Sequence, residues 1–224
     1  MFLSRIVLPA RAVSAQEFAE LGMGLGALHR LIWLAFGDQP DRERDFLYRA
    51  DREGDRWTFM TLSAREPGDW GGRLLVESRP FAPRLASGQR LGFSLRANAT
   101  VSAGAHGQRG QRHDVVMHLK RQKRDAEEGF TQAELVQEAG FGWLAKRGEL
   151  AGAFDVVEDE VIADAYTQHE FAKRPGAGKP VRLSTLDLTG QLTVRDPLAM
   201  RQLLFNGLGA AKAYGNGLML IRPL

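Results

Sequence analysis

The 224-residue sequence contains no cysteine, and that one absence removes several classes of protein. Without thiols there is no disulfide framework, no cysteine-ligated zinc finger and no thiol nucleophile. Nor does the chain hold an apolar run of about 18 residues, the length a helix needs to span a bilayer. The opening MFLSRIVLPARA is too short and too interrupted for a secretory signal, so a cytoplasmic protein is expected. The GxxxxGK[ST] phosphate loop, the HExxH metal pair and the Gly-x-Ser-x-Gly nucleophile elbow do not occur either. Charge of either sign is scarcely in excess: the formal net charge is +3, so the placement of the basic residues matters more than their sum.

What is present is 44% hydrophobic sequence, enough to bury a core, in a pattern that alternates short strands with helices. FLSRIVL reads as a first strand ended by Pro9. Ser14 and Glu17 have capping-box spacing, and Phe18, Leu21, Leu25, Leu28, Ile32 and Phe36 then recur at helical intervals. Gly22, Gly24 and Gly26 each weaken such a helix by about 1 kcal/mol relative to alanine, which moves its expected stable start toward Ala27. A hairpin about REGD, a short helix over DWGGRLLVES and a strand over GQRLGFSLRAN complete the order strand, helix, strand, strand, helix, strand. That order is the split βαβ of a ferredoxin-like unit.

The second half repeats it. RHDVVMHL is a strand candidate, TQAELVQEAGFGWLAKRG an amphipathic helix, and the region from Phe154 to Val194 is strand-rich about a basic Pro/Gly turn. DPLAMRQLLF carries Asp196 at its N-cap and Pro197 at the first helical position, and LMLIRPL supplies a last strand. The reading is therefore α+β, with tandem ferredoxin-like βαββαβ domains over residues 1–100 and 112–224 and a linker over 101–111.

Three basic groups stand out: Arg109, Arg112, Lys120 and their neighbours up to Arg124; the strand RLGFSLRAN with Arg96; and the turn with Lys173, Arg174 and Lys179. Such clusters fit a phosphate backbone, and equally a solvated connector. The loop NGLGAAKAYGNG places Gly207, Gly209, Gly215 and Gly217 around Lys212 and Tyr214. Because a helix precedes it and a strand follows, the order is the reverse of a nucleotide-binding loop. Its glycines fit amides open to a polyanion, or tight turns without a ligand. Of the five histidines, none forms a metal-ligand pair by spacing, and His29 flanks the apolar stripe of its helix, where it could pack or move a proton.

FLSRIVL, LHRLIWLAF followed by RDFLYR, then GQRLGFSLRAN, GWLAKR and finally GLGAAKAYGNGLMLI stand in an order that resembles the CasE family. These are the CRISPR RNA-processing endoribonucleases of type I-E systems. The resemblance implies two domains close in fold to RNA-recognition motifs, which bind the stem-loop of a CRISPR repeat transcript. Cleavage at the 3′ base of the hairpin would need no metal or other cofactor, and the product would stay bound among the other Cascade subunits. Neither a membrane nor DNA at the catalytic site is implied. By position the family's catalytic histidine is His29, with Arg30 beside it, and the glycine loop and the Lys173–Lys179 turn would face the RNA. Some members have a tyrosine three residues before the histidine, where this chain has Gly26.

Overall fold

The first strand is apolar on both sides, and the computed structural model shows why: its sheet is covered on both faces. The structure describes residues 1–9, 12, 14, 16–17, 24–37, 43–103, 111–126, 129–171 and 179–224. Strands β1 (Phe2–Leu8), β2 (Phe46–Glu53), β3 (Arg56–Ser63) and β4 (Leu75–Pro80) form an antiparallel sheet in the order β2-β3-β1-β4. Helix α1 (Leu25–Phe36) packs its Leu28, Leu31, Ile32 and Phe36 on one face, against Ile6, Leu8, Phe46, Tyr48 and Phe59. The opposite face offers Leu3, Leu47, Met60 and Leu62 to Phe205, Leu218 and Leu220 from the far end of the chain.

Ser14 and Glu17 do form the reciprocal pair of a capping box, at 2.6 and 3.2 Å. Helix α1 then begins at Leu25, two residues before the expected stable start, after Gly24 at φ 131°. The expected short helix over DWGGRLLVES is absent. Trp70, Gly71 and Gly72 all take left-handed backbone angles, which no right-handed helix accommodates, and the residues after them extend as β4 along the edge of the sheet. The strand order still matches a ferredoxin-like unit, with a turn-rich connection in place of its second helix.

The second unit is complete, and it starts earlier than expected. Strand β5 (Arg90–Ala97) lies between β10 (Val181–Val194) and β11 (Met219–Pro223), with β8 (Phe154–Asp155) and β9 (Val161–Phe171) also paired to β10. GQRLGFSLRAN is thus the first strand of the second domain and not the last of the first. The division expected at residue 100 falls instead in the connection after β4. Of residues 101–111, expected as a linker, 101–103 and 111 lie in two paired antiparallel strands, β6 (Thr100–Ala103) and β7 (Gln111–Asp114), that follow β5, and the rest lie outside the described residues.

The strand expected over RHDVVMHL is broken in two. Asp114 accepts the Met117 N–H at 2.7 Å, which starts helix α2 (Val115–Asp125) in the middle of the motif. Helix α3 (Gln132–Ala151) opens with the capping box of Thr131 and Glu134, and α4 (Pro197–Asn206) with Asp196 accepting from two backbone amides. Leu135, Trp143 and Leu144 of α3 and Met200 and Leu204 of α4 pack on Leu95, Leu186 and Leu188 of the sheet. No helix among the described residues is long and apolar enough to cross a membrane.

A polar cluster also joins the two domains. Arg96 donates to both oxygens of Asp187 at 2.8 Å and to the Ala50 carbonyl at 3.0 Å, and it pairs with Asp51 at 3.1 Å. Arg49, two residues before Asp51, reaches Ser94 Oγ at 2.9 Å and Asp187 at 3.5 Å. Removing Asp187 leaves Arg49 and Arg96 to share Asp51 as their one carboxylate among the described residues, in a largely covered seam. Asp187→Ala is expected to lower unfolding stability by about 2–3 kcal/mol in urea titration. An unchanged midpoint would show that the cluster contributes nothing to joining the domains.

Candidate active site

The face of α1 that carries His29 meets the loop that closes the second domain. The chain leaves α4 at Gly207, takes one turn of 3-10 helix over Lys212–Tyr214, and enters β11. The Tyr214 ring lies 5.8 Å from the imidazole of His29, centroid to centroid. On the other side Trp33, one helical turn along α1, stands perpendicular at 6.3 Å and donates its indole N–H to His29 Nε2 at 3.3 Å. That donation identifies Nε2 as the unprotonated nitrogen of a neutral ring, so the ring proton sits on Nδ1. Nδ1 is buried without a hydrogen bond of regular geometry, although the nearby Ala213 carbonyl favours the protonated ring.

Burial is the larger influence and pushes the His29 pKa below its ordinary value; the charges of Arg44 and Arg30 push the same way. Arg44 precedes β2 and shares its parity with Phe46 and Tyr48, which places it on the α1 side of the sheet. It is half-buried, its Nη1 has no hydrogen-bond partner among the described residues, and desolvation loosens its proton. Lys212 is also half-buried, with its pKa lowered by burial and then by the charges of Arg44 and Arg147. The turn itself is pinned from below, where Tyr48 donates its hydroxyl to the Ala213 carbonyl at 3.0 Å. The result is a neutral imidazole near cations that have no carboxylate partner among the described residues. Among the described residues there is no cluster of three side chains suited to a metal ion.

Of the residues singled out from sequence, His29 and Lys212 converge here, while Arg30 is exposed beside His29. Arg96 does not join them: its guanidinium is occupied by Asp187, Asp51 and the Ala50 carbonyl, so it joins the domains and is not free to bind a phosphate. Arg112 lies on the exposed hairpin strand β7, Lys120 on α2, and Lys179 is exposed just before β10. Arg109, Lys173 and Arg174 lie outside the described residues. His113 and His118, unrelated by spacing, are brought within 6.4 Å by the start of α2.

The glycines serve the fold. Gly217, at φ 88°, donates to the Arg96 carbonyl at 2.8 Å, and an added Cβ would lie 2.5 Å from the Leu208 carbonyl oxygen. Gly207, at φ 70°, donates to the Leu203 carbonyl and presses on Leu47 of the first domain. Gly209 lies against Trp143 and Gly215 against the Tyr48 ring. The amides of Gly207 and Gly217 are therefore spent inside the protein, and the loop acts by close packing, which delivers Lys212 and Tyr214 to His29. Sequence reading missed Arg44. Its signal was parity: a charged residue at the head of the apolar face of Phe46 and Tyr48.

A cation-rich histidine site thus lies where two tandem ferredoxin-like domains meet. A family model described as CRISPR associated protein matches residues 1–223, and the chain belongs to that family, on its CasE side. It is 28% identical over 232 residues to the CRISPR system Cascade subunit CasE of Escherichia coli K12. It is 32% identical over 240 residues to the CRISPR-associated endoribonuclease Cse3 of Thermus thermophilus. Both alignments cover all of each chain. The Thermus thermophilus Cse3 structure with an RNA representing a pre-cleavage complex has a TM-score of 0.69 at 25% identity, covering 99% of both chains.

The surroundings of His29 set a direction for its titration. Its pKa by NMR is expected below the ordinary value of about 6.5, and Arg44→Gln is expected to raise it by removing a neighbouring charge. Because the fold favours the neutral ring, this group's contribution to stability is intact above about pH 6.5 and lost as pH falls through the lowered value. A pKa at or above 6.5 in the free protein would contradict this description of the site.

Proposed function

We propose that this chain is a metal-independent endoribonuclease that binds the stem-loop of a CRISPR repeat transcript and cuts at the 3′ base of the hairpin. It then retains the product as a Cascade subunit, working in the cytoplasm where the transcript is made. The supporting observation is the neutral His29 imidazole with an accepting Nε2, close to the charge of Arg44 and against the turn that carries Lys212 and Tyr214, in a protein of this family.

RNA carries its own nucleophile in the 2′-OH, so the protein needs to supply only proton transfer and charge stabilisation. In this reading the substrate hydroxyl replaces the Trp33 N–H at Nε2, a 3.3 Å contact that yields easily. Nε2 takes the 2′-OH proton as the 2′-oxygen bonds to phosphorus, the bond to the 5′-oxygen breaks, and a 2′,3′-cyclic phosphate remains. Lys212, whose proton burial and neighbouring cations have loosened, donates to the departing 5′-oxygen. Arg44 presents its unpartnered Nη1 to the charge that develops on the phosphorus oxygens. Arg30 is exposed beside the histidine and meets the incoming phosphate strand. No tyrosine occupies position 26, and Tyr214 from the other domain supplies the ring against His29.

The test is incubation with a repeat hairpin in excess EDTA. Wild type should cut, while His29→Ala should bind with similar affinity and cut about 10²–10⁴-fold more slowly. Cutting that survives the substitution would remove His29 from the chemistry, and cutting abolished by EDTA would contradict the metal-free route. Tight binding without cutting by wild type would leave a non-cleaving RNA-binding subunit.

A further inference from the structure

Behind the turn that meets His29, the same turn forms the wall of a cleft of about 620 Å³. Lys212 enters it from the loop, Arg112 and Ser102 from the β6–β7 hairpin, Arg147 from α3, and Gln202 and Asn206 from α4. Among the described residues no acidic side chain lines it. Arg112, Arg147 and Lys212 have no carboxylate partner among the described residues. Arg147 rests over the Trp143 ring at 5.5 Å and makes one long contact, at 3.4 Å, to the Thr100 carbonyl. Three cations brought together without compensation repel one another; the pKa of Lys212 is lowered first by burial and then by the charges of Arg44 and Arg147. Such an arrangement is stabilised when an anion sits among them.

The hairpin strengthens the case. A βαββαβ domain does not need an insertion between its first strand and first helix, yet this one sets Ser102 and Arg112 opposite each other in register, at the mouth of the cleft. The volume is in the range of small-ligand sites and far too small for a duplex. Polar amides and hydroxyls beside the cations suit a ribose and a base edge as well as a phosphate.

We propose that this cleft holds the single-stranded RNA that flanks the hairpin next to the cleaved bond, binding its phosphates through Arg112 and Arg147. The inference rests on the endoribonuclease reading and extends it: the turn Lys212–Tyr214 would separate the reacting phosphate from its neighbour, so flank binding would set the register of the cut. The stem would supply most of the affinity, and the flank would select the bond.

Binding is measured with full-length protein and hairpins made uncleavable by a 2′-deoxy nucleotide at the cleavage site. They carry a 5′ flank, a 3′ flank, both or neither. Arg112→Gln and Arg147→Gln should each weaken binding to flanked RNA about tenfold and lower its salt slope by about 1, with the flankless hairpin bound as by wild type. A loss confined to one flank identifies the strand in the cleft. Wild-type affinity for every RNA, or an equal loss for the flankless hairpin, would overturn the proposal and leave the endoribonuclease reading standing. Failure of wild type to bind any hairpin would overturn both. Arg112, exposed on the hairpin, keeps the test valid should Arg147→Gln disturb the packing on Trp143.

Discussion

The closing loop of the second domain docks on the first sheet, and the candidate site exists only because of that contact. Leu218 of the loop packs with Leu47 and Leu62, Gly207 presses on Leu47, Gly215 on Tyr48, and the Tyr48 hydroxyl holds the Ala213 carbonyl. Larger residues at those glycines would push the loop away, and Lys212 and Tyr214 would leave with it. The Arg96–Asp187–Asp51–Arg49 cluster sits on the same seam and joins the two sheets. One interface thus accounts for the glycine spacing, the buried tyrosine and a salt-bridge cluster whose Arg96 sequence alone assigned to RNA.

The electrostatics follow from the same docking. A half-buried histidine beside cations is held neutral and keeps a basic nitrogen at physiological pH. Among the described residues those cations have no carboxylate partner, and an arriving phosphate would raise the proton affinity of His29, the base of the proposed step. Burial thus poises His29 and Lys212 without a metal or cofactor taking part in the steps proposed.

Much of the fold was legible because its signals are local. The capping residues Thr131 and Asp196, Pro197, and the strand-like runs of β1, β5 and β11 each name their own element. The misreadings came from positions where a neighbour in the chain or in space decided the outcome. Left-handed backbone at Trp70–Gly72 prevented a helix, Asp114 capped α2 inside an apparent strand, and pairing of β5 with β10 and β11 moved the domain division. At the site, order along the chain pointed to His29 and Lys212. Tyr214 became visible as a neighbour of His29 only when residues 185 positions apart were brought together.

If the second domain positions the chemistry of the first, Tyr48→Phe is the sharpest probe of that dependence. The change deletes one hydroxyl from a buried ring whose shape it preserves, and frees the Ala213 carbonyl. Single-turnover cleavage of a repeat hairpin by this variant is expected to slow on the order of tenfold, with hairpin affinity and Tm close to wild type. A cleavage rate equal to wild type would contradict the claim that the pinned turn governs His29.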